Sequence, residues 1–135
     1  MRVFLDTNVL VSAFASRGLC AEVLELVLLD HDLILGQNVV REKKKALREK
    51  VKLPHVRSAE IVEFVSGEAT RIVDRAEPAN VNVSADDALV LGEALAGQAE
   101  AFVTGDGALL RLAAAGALKI VSPRQFWEIL RAGNL

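Results

Sequence analysis

The sequence predicts an α/β fold, a three-layer α/β/α sandwich around a central parallel sheet of about five strands. Five apolar runs rich in Val, Ile, Leu and Phe recur along the chain, and each is too short to be a helix. Segments with apolar residues at three- and four-residue spacing lie between them. Strands that alternate with helices form parallel sheets with both faces covered. At 135 residues, a single domain spanning 1–135 is the simplest organisation.

The individual elements follow from these patterns, and each ends near a turn or capping signal. The first predicted helix is expected to end at Gly18 as its C-cap. Pro54 separates two helical segments that we expect to project as an arm at about 38–69. The predicted strands are 2–6, 32–36, 71–74, 101–104 and 118–122, and the predicted helices are 9–18, 21–29, 38–51, 58–69, 86–97, 107–116 and 122–133.

Composition excludes several classes of protein. No apolar stretch reaches the roughly 18 residues of a membrane span, and the first residues lack the apolar region of a signal peptide. We therefore expect a cytoplasmic protein without a membrane partner. The single Cys20 cannot form an internal disulfide and argues against a structural zinc site.

Charge is distributed unevenly along the chain. The net charge is −2, yet residues 41–57 hold eight Lys or Arg against two Glu, a local charge of +6. A basic strip beside an acidic remainder suits a protein that holds a polyanion while its centre binds cations. A solvated helix face would explain the same composition.

Acidic residues stand where strands end and helices begin, the edge at which parallel sheets collect ligands. Asp6 closes the first strand in "FLDTN", Asp106 follows the fourth in "VTGDGALL", and Asp86 and Asp87 open a helix in "SADDALVL". Glu42 lies in the helix after the second strand. Helix caps are an alternative explanation for several polar residues at these positions, namely Asn8, Ser84, Asp86 and Asp106.

Capping does not account for Asp6, which lies on the strand side of Asn8 directly after apolar residues. A buried carboxylate needs a counterion, and the neighbouring strand ends offer other acids. Two carboxylates about 4 Å apart repel by on the order of 4 kcal/mol at an effective dielectric near 20. Converging acids therefore indicate a divalent cation, and oxygen ligands without Cys or His favour Mg²⁺ or Mn²⁺.

Helix geometry selects among the acids. If a helix starts near Asn38, Glu42 lies about 6 Å along its axis and Glu49 about 16 Å, so Glu42 stays near the strand ends. Two acids open the helix at 86–97. Asp87 precedes Leu91, Ala94 and Leu95 on its face, whereas Asp86 precedes Val90 and Glu93. The acid that faces the sheet is therefore expected to be Asp87.

Taken together, "VFLDTNVLVSAF", "DDALVLGEALAG", "AFVTGDGALL" and "IVSPRQFWEIL" resemble the PIN-domain ribonucleases, above all the VapC-like toxin components of toxin–antitoxin pairs. The resemblance covers residue 2 to about 131. It implies a three-layer fold and metal-dependent cleavage of RNA phosphodiester bonds. The catalytic, metal-binding acids would be Asp6, Glu42, Asp87 and Asp106.

The resemblance also implies supporting residues and partners. Asn8, Thr104 and Asp86 would support the metal ligands, and the cofactor would be Mg²⁺ or Mn²⁺. A cognate antitoxin and a homodimer are the implied protein partners. Basic side chains would contact the RNA backbone without reading its sequence; these are Arg41, Lys43, Lys44, Lys45, Arg48 and Lys50.

Two alternatives keep the fold class but change the function. The first is a catalytically weak PIN-like module that binds RNA or a partner protein. The second is a phosphotransfer domain in which an Asp accepts a phosphoryl group, although that class pairs its acids after the first strand and this chain has Asp6 alone. Phe126 and Trp127 could stack on bases, but their helix "FWEIL" favours packing. His31 and His55 are expected at the surface.

Overall fold

The computed structural model describes residues 1–37 and 55–133. Within them, short strands alternate with helices in the predicted order. The strands are β1 (Arg2–Leu5), β2 (Asp32–Gly36), β3 (Arg71–Val73), β4 (Ala101–Val103), β5 (Ala114–Ala115) and β6 (Leu118–Val121). The helices are α1 (Thr7–Ala15), α2 (Leu19–Asp30), α3 (His55–Glu68), α4 (Ala85–Ala96), α5 (Gly107–Leu112) and α6 (Pro123–Ala132).

The strands form one sheet in the order β3-β2-β1-β4-β6-β5. Five of them are parallel, and β5 is an antiparallel edge strand beside β6. Strands β2 and β3 are added on one side of β1. The chain then crosses to the other side of β1, where it adds β4, β6 and β5. The strand order therefore reverses between β1 and β4, and such a reversal opens a crevice at the carboxyl edge of a sheet.

Helices cover both faces of this sheet. Helices α2 and α4 both pack on β2, and α2 also packs on α1 and α6. Right-handed crossovers place α1 and α2 on the face opposite α4, because the chain travels in opposite directions along the sheet at these two connections. The predicted three-layer sandwich is confirmed.

The core consists of apolar side chains from the strands and from the inner helix faces. The rings of Phe4 and Phe102 stack at 5.2 Å between centroids, which shows that β1 and β4 direct these residues to the same face. Phe126 of α6 is fully buried, as its predicted packing role requires. Trp127 is partly buried, and the Arg131 guanidinium lies 4.8 Å from its ring.

Helix α4 packs closely on the sheet at Gly97 and on the segment that precedes the helix at Gly92. A Cβ placed on Gly97 would lie 2.6 Å from Cγ2 of Ile34, and one placed on Gly92 would overlap the backbone carbonyl of Glu77. Both positions therefore require glycine. The contact with Ile34 also shows that even-numbered residues of β2 face α4.

Two predicted boundaries were wrong. The helix predicted over 107–116 ends at Leu112, because Ala113 takes a positive φ of 62° and the chain then forms β5. Gly18 does not end the first helix: α1 ends at Ala15 with Ser16 as its C-cap, and Gly18 is the N-cap of α2. Much of the arm predicted at 38–69 lies outside the described residues, and its later part is α3.

None of the described helices is long and apolar enough to cross a lipid bilayer.

Candidate active site

The crevice between β1 and β4 holds the polar residues that follow these two strands. The backbone ladder continues for one residue past each strand, because Asp6 N donates to Val103 O and Thr104 N donates to Val121 O, both at 3.0 Å. Side chains alternate along extended backbone, so Asp6 and Thr104 share the face of Phe4 and Phe102. The two side chains meet at the carboxyl edge of the sheet.

Asp6 performs two local tasks. As the N-cap of α1, its Oδ1 accepts a 2.8 Å hydrogen bond from Thr7 N, and its Oδ2 accepts a 2.8 Å hydrogen bond from Thr104 Oγ1. The carboxylate is half-buried. Capping therefore does extend to Asp6, contrary to the sequence-based argument, while Asn8 is not the cap of this helix.

Thr104 connects Asp6 with Asp106. The Thr104 side chain is fully buried, and its hydroxyl donates to Asp6 while it accepts a 3.0 Å hydrogen bond from Asp106 N. A hydroxyl has one proton to donate, so this arrangement fixes its orientation. Asp106 is half-buried and caps α5, since its Oδ1 accepts from Ala108 N at 2.8 Å.

Asn8 holds the two loops of the crevice together. Its Oδ1 accepts a 3.2 Å hydrogen bond from Gly105 N, which joins the start of α1 to the turn after β4. A side chain at residue 105 would come within 3.7 Å of the same oxygen, an ordinary contact. Asn8 thus supports the crevice through a hydrogen bond between its side chain and the Gly105 backbone, and not through contact with a carboxylate.

Asp87 and Asp86 lie in the first turn of α4, behind the N-cap Ser84. The Ser84 hydroxyl accepts a 3.2 Å hydrogen bond from Asp87 N. Asp87 is half-buried and Asp86 is exposed, in agreement with the prediction that Asp87 is the more inward acid. The rest of the predicted sheet-facing side of the helix is partly wrong, because Leu95 is 38% exposed and Glu93, predicted on the other face, is buried.

The donor chemistry at the crevice fits a hard divalent cation. Asp6 and Asp106 supply carboxylate oxygens at one edge, and Mg²⁺ commonly uses only one or two protein carboxylates while it keeps several waters. Within residues 1–37 and 55–133, however, no three acidic, His or Cys side chains lie close enough together to share an ion. Asp87 therefore does not complete a three-acid cage with Asp6 and Asp106 in this part of the chain.

Glu93 is the residue that the sequence-based selection of acids missed. It is 2% exposed and lies on α4 against Gly36, the last residue of β2. Glu93 lies seven residues after Asp86 and therefore on the same face of the helix, which was predicted to point away from the sheet. The useful signal was the set of glycines around it at 36, 92 and 97, which lets backbone and side chains approach more closely than usual.

Residues 2–108 match the PIN domain family. The chain belongs to that family. Its fold is also similar to a chain in the crystal structure of VapBC2 from Rickettsia felis bound to a DNA fragment from their promoter, with a TM-score of 0.64 and 15% sequence identity. That likeness covers 90% of this chain and 98% of the other. Among curated proteins, none matches this sequence significantly.

Several residues that the resemblance assigned to this PIN domain's site lie outside the described residues. Glu42, predicted to be a metal ligand, is one of them. The predicted RNA contacts lie there as well: Arg41, Lys43, Lys44, Lys45, Arg48 and Lys50. The predicted site residues that the structure describes are therefore Asp6, Asn8, Thr104 and Asp106 at the crevice, with Asp86 and Asp87 on α4.

Proposed function

We propose that this PIN domain is a metal-dependent endoribonuclease that hydrolyses RNA phosphodiester bonds. The supporting observation is the hydrogen-bonded link from Asp6 through the Thr104 hydroxyl to Asp106 N, located where the strand order reverses. Two carboxylates held in fixed orientation at such a crevice suit a cation and a phosphate group. PIN domains are generally nucleases, which gives the reaction class.

Mg²⁺ or Mn²⁺ held by Asp6 and Asp106, with Glu42 as a further ligand and Asp87 acting through a metal-bound water, would polarise the phosphate and make a water more acidic. The remaining residues orient the acids. Thr7 N and the Thr104 hydroxyl fix the two oxygens of Asp6, and Ala108 N fixes one oxygen of Asp106. Such supporting hydrogen bonds keep ligand oxygens directed at the ion.

RNA affinity would come chiefly from the basic segment. Eight Lys or Arg in residues 41–57 give a local charge of +6 close in sequence to Glu42. Contacts from these side chains to phosphates would give binding that weakens as salt rises, with little preference for sequence. These contacts would thus bring the RNA backbone to the acids. The side chains that would make them are Arg41, Lys43, Lys44, Lys45, Arg48 and Lys50.

The toxin role is part of the same proposal. The chain of similar fold comes from a structure of VapBC2 bound to promoter DNA, and the sequence resembles VapC-like toxins. We expect a cognate antitoxin that blocks the crevice, a homodimer and a cytoplasmic location. Expression of the chain alone should slow growth, and coexpression with an antitoxin encoded beside it should restore growth.

The test is cleavage of structured RNAs by the purified chain with Mg²⁺, with Mn²⁺ and with EDTA. Asp6→Asn and Asp106→Asn should lower the cleavage rate by on the order of 100-fold or more. Asparagine still accepts a hydrogen bond as an N-cap, so both variants should keep their helices. Asp74→Asn, an exposed acid, is the matched control. Equal rates for wild type and Asp6→Asn would refute the proposal.

A catalytically weak binding module is the second candidate. It is favoured by the lack of a three-acid group within the described part of the chain. This alternative predicts RNA binding that depends on the basic segment, without cleavage at millimolar Mn²⁺. Gel-shift and cleavage measurements on the same RNA separate the two functions.

A further inference from the structure

The exposed side chain of Arg111 belongs to α5, the short helix that begins directly after Asp106. The place of this helix is fixed at both of its sides. Asp106 caps its start at the crevice, and Leu109 is 1% exposed where the helix packs on β6. The backbone that carries Arg111 is therefore held beside the crevice, whatever conformation the flexible side chain takes.

The Arg111 side chain points back toward the start of α5. Side chains of a helix tilt toward its N-terminus, and residues four apart lie on the same face, about 6 Å apart along the axis. Gly107 stands four residues before Arg111 and has no side chain to occupy that face. Arg111 Nη1 accordingly lies 3.5 Å from the point where a Cβ of residue 107 would be. Helix geometry thus directs the guanidinium toward the turn that Asp106 caps.

The usual structural roles of a helical arginine do not explain this arrangement. A cation stabilises a helix from its C-terminal end, where the carbonyl groups point, but this guanidinium lies over the opposite end. An ion pair is the other common role, and within residues 1–37 and 55–133 Arg111 forms none. Its charge is therefore available, in this part of the chain, to an anion that approaches the crevice.

A phosphate group of bound RNA is the anion that suits this position. Asp6 and Asp106 make the crevice negative, so RNA can lie there only where positive charge offsets the repulsion between its phosphates and these acids. A guanidinium supplies such a charge and also donates planar, bidentate hydrogen bonds to phosphate oxygens.

We propose that Arg111 binds the phosphate next to the one that is cleaved. At the cleaved phosphate, the acids would be offset by the proposed cation. Arg111 does not pair with Asp106, whose oxygens that cation would contact, so the two positive charges hold different phosphates. The inference rests on the proposed function, because it names a further substrate contact of the same site, in addition to those of the basic segment.

Binding of a short fluorescein-labelled oligouridylate to the full chain tests the inference. Fluorescence anisotropy in EDTA, which prevents cleavage, gives the affinity at several KCl concentrations. Arg111→Gln should weaken binding by about five- to tenfold. It should also reduce the slope of log affinity against log salt by about 0.7, the value for one phosphate contact on a single strand. Arg111→Lys keeps the charge but lacks the planar fork, so it should keep the slope and lose about twofold in affinity.

Mn²⁺-dependent cleavage of the same RNA is the second measurement, and it decides the question where EDTA abolishes binding. Arg111→Gln should raise KM by the same factor and leave kcat within about twofold, because the contact is made before and during the reaction alike. Arg17→Gln is the matched control. This exposed arginine follows α1, which carries the chain about 12 Å away from Asp6, and its loss should alter neither measurement.

Equal salt slopes and equal KM values for Arg111→Gln and Arg17→Gln would overturn the inference alone. A fall in kcat without a rise in KM would do the same, since it would place Arg111 at the cleaved phosphate. A wild-type chain that neither binds nor cleaves RNA would overturn the proposed function as well.

Discussion

The Thr104 hydroxyl donates a 2.8 Å hydrogen bond to Asp6 Oδ2 from the neighbouring strand. Because the same hydroxyl accepts from Asp106 N at 3.0 Å, one buried oxygen fixes both the strand end at Asp6 and the turn before α5. A buried donor or acceptor that loses its partner carries a full desolvation cost. This link therefore joins the stability of the fold to the geometry of the site.

Thr104→Val keeps the volume of the side chain but removes both hydrogen bonds. We expect the free energy of unfolding to fall by about 1–3 kcal/mol, because Asp106 N loses its acceptor and Asp6 loses a donor. RNA cleavage should slow by about 10- to 100-fold in the folded variant. Thr104→Ser retains the hydroxyl and should stay near wild type in cleavage. Urea denaturation and Mn²⁺-dependent cleavage measure the two effects, and a valine variant with full activity would contradict the positioning role.

The two adjacent acids of α4 should differ in function. Asp87 is half-buried and Asp86 is exposed, so we expect Asp87 to be the acid of α4 that takes part in the reaction. Asp87→Asn should reduce cleavage by on the order of 10-fold or more, while Asp86→Asn should leave the rate within about twofold. Both replacements remove one negative charge from the first turn of α4 and should cost similar stability, about 0.3–1 kcal/mol. Equal loss of cleavage in both variants would show that the effect comes from net charge.

The close approach of α4 to the chain before it predicts a strong effect at Gly92. A Cβ there would overlap the backbone carbonyl of Glu77, which cannot move aside as a flexible side chain could. Gly92→Ala should lower the free energy of unfolding by about 2 kcal/mol or more. Gly67→Ala in α3 meets open space and should instead raise it by up to about 1 kcal/mol. Chemical denaturation of both variants measures the contrast, and equal effects would refute the packing argument.

His31 predicts a pH dependence of stability. The ring lies edge-on to Phe126 at 6.4 Å between centroids, and its Nδ1 is buried without a hydrogen-bond partner in the described part of the chain. Burial lowers the pKa of His31, and the Met1 amino group lowers it further, while Asp30 and Asp32 raise it. The pKa in the folded state thus lies below the unfolded value of about 6.5.

The unfolded chain therefore takes up the His31 proton first as the pH falls. The contribution of neutral His31 to stability is complete above about pH 6.5 and declines below it, until the pH has passed the lower pKa of the folded state. Thermal unfolding from pH 7.5 to 5 should show a steeper decline for wild type than for His31→Phe. Parallel curves for the two proteins would mean that another group causes the dependence. His31 was predicted to be a surface residue, and the residue is partly exposed while its Nδ1 is buried.

The sequence alone was enough to place the two acids that directly follow predicted strands. Asp6 and Asp106 were located correctly, because apolar runs mark the strands and parallel strands bring their carboxyl ends to one edge. The hydrogen bonds through Thr104 depend on register, which periodicity does not specify. Ala113 broke the predicted helix through a positive φ, for which alanine carries no signal.

Glu93 could not be found by the same reasoning. The hydrophobic pattern placed Leu95 inside and Glu93 outside, whereas in the structure Leu95 is exposed and Glu93 is buried against Gly36. Tertiary contact with glycine backbone overrode the apolar pattern. The arrangement of Glu42 and the basic side chains stays a prediction, because these residues lie outside the described part of the chain.

The partners Asp6 and Thr104 lie 98 residues apart in sequence, although they are neighbours in the sheet. During translation, the first half of the pocket emerges from the ribosome long before the second half exists. A nascent or prematurely terminated chain that lacks β4 therefore has no assembled centre and should be harmless to the cell that makes it. Under the proposed function, toxicity therefore requires synthesis to have passed β4, and the antitoxin is needed only from that point onward.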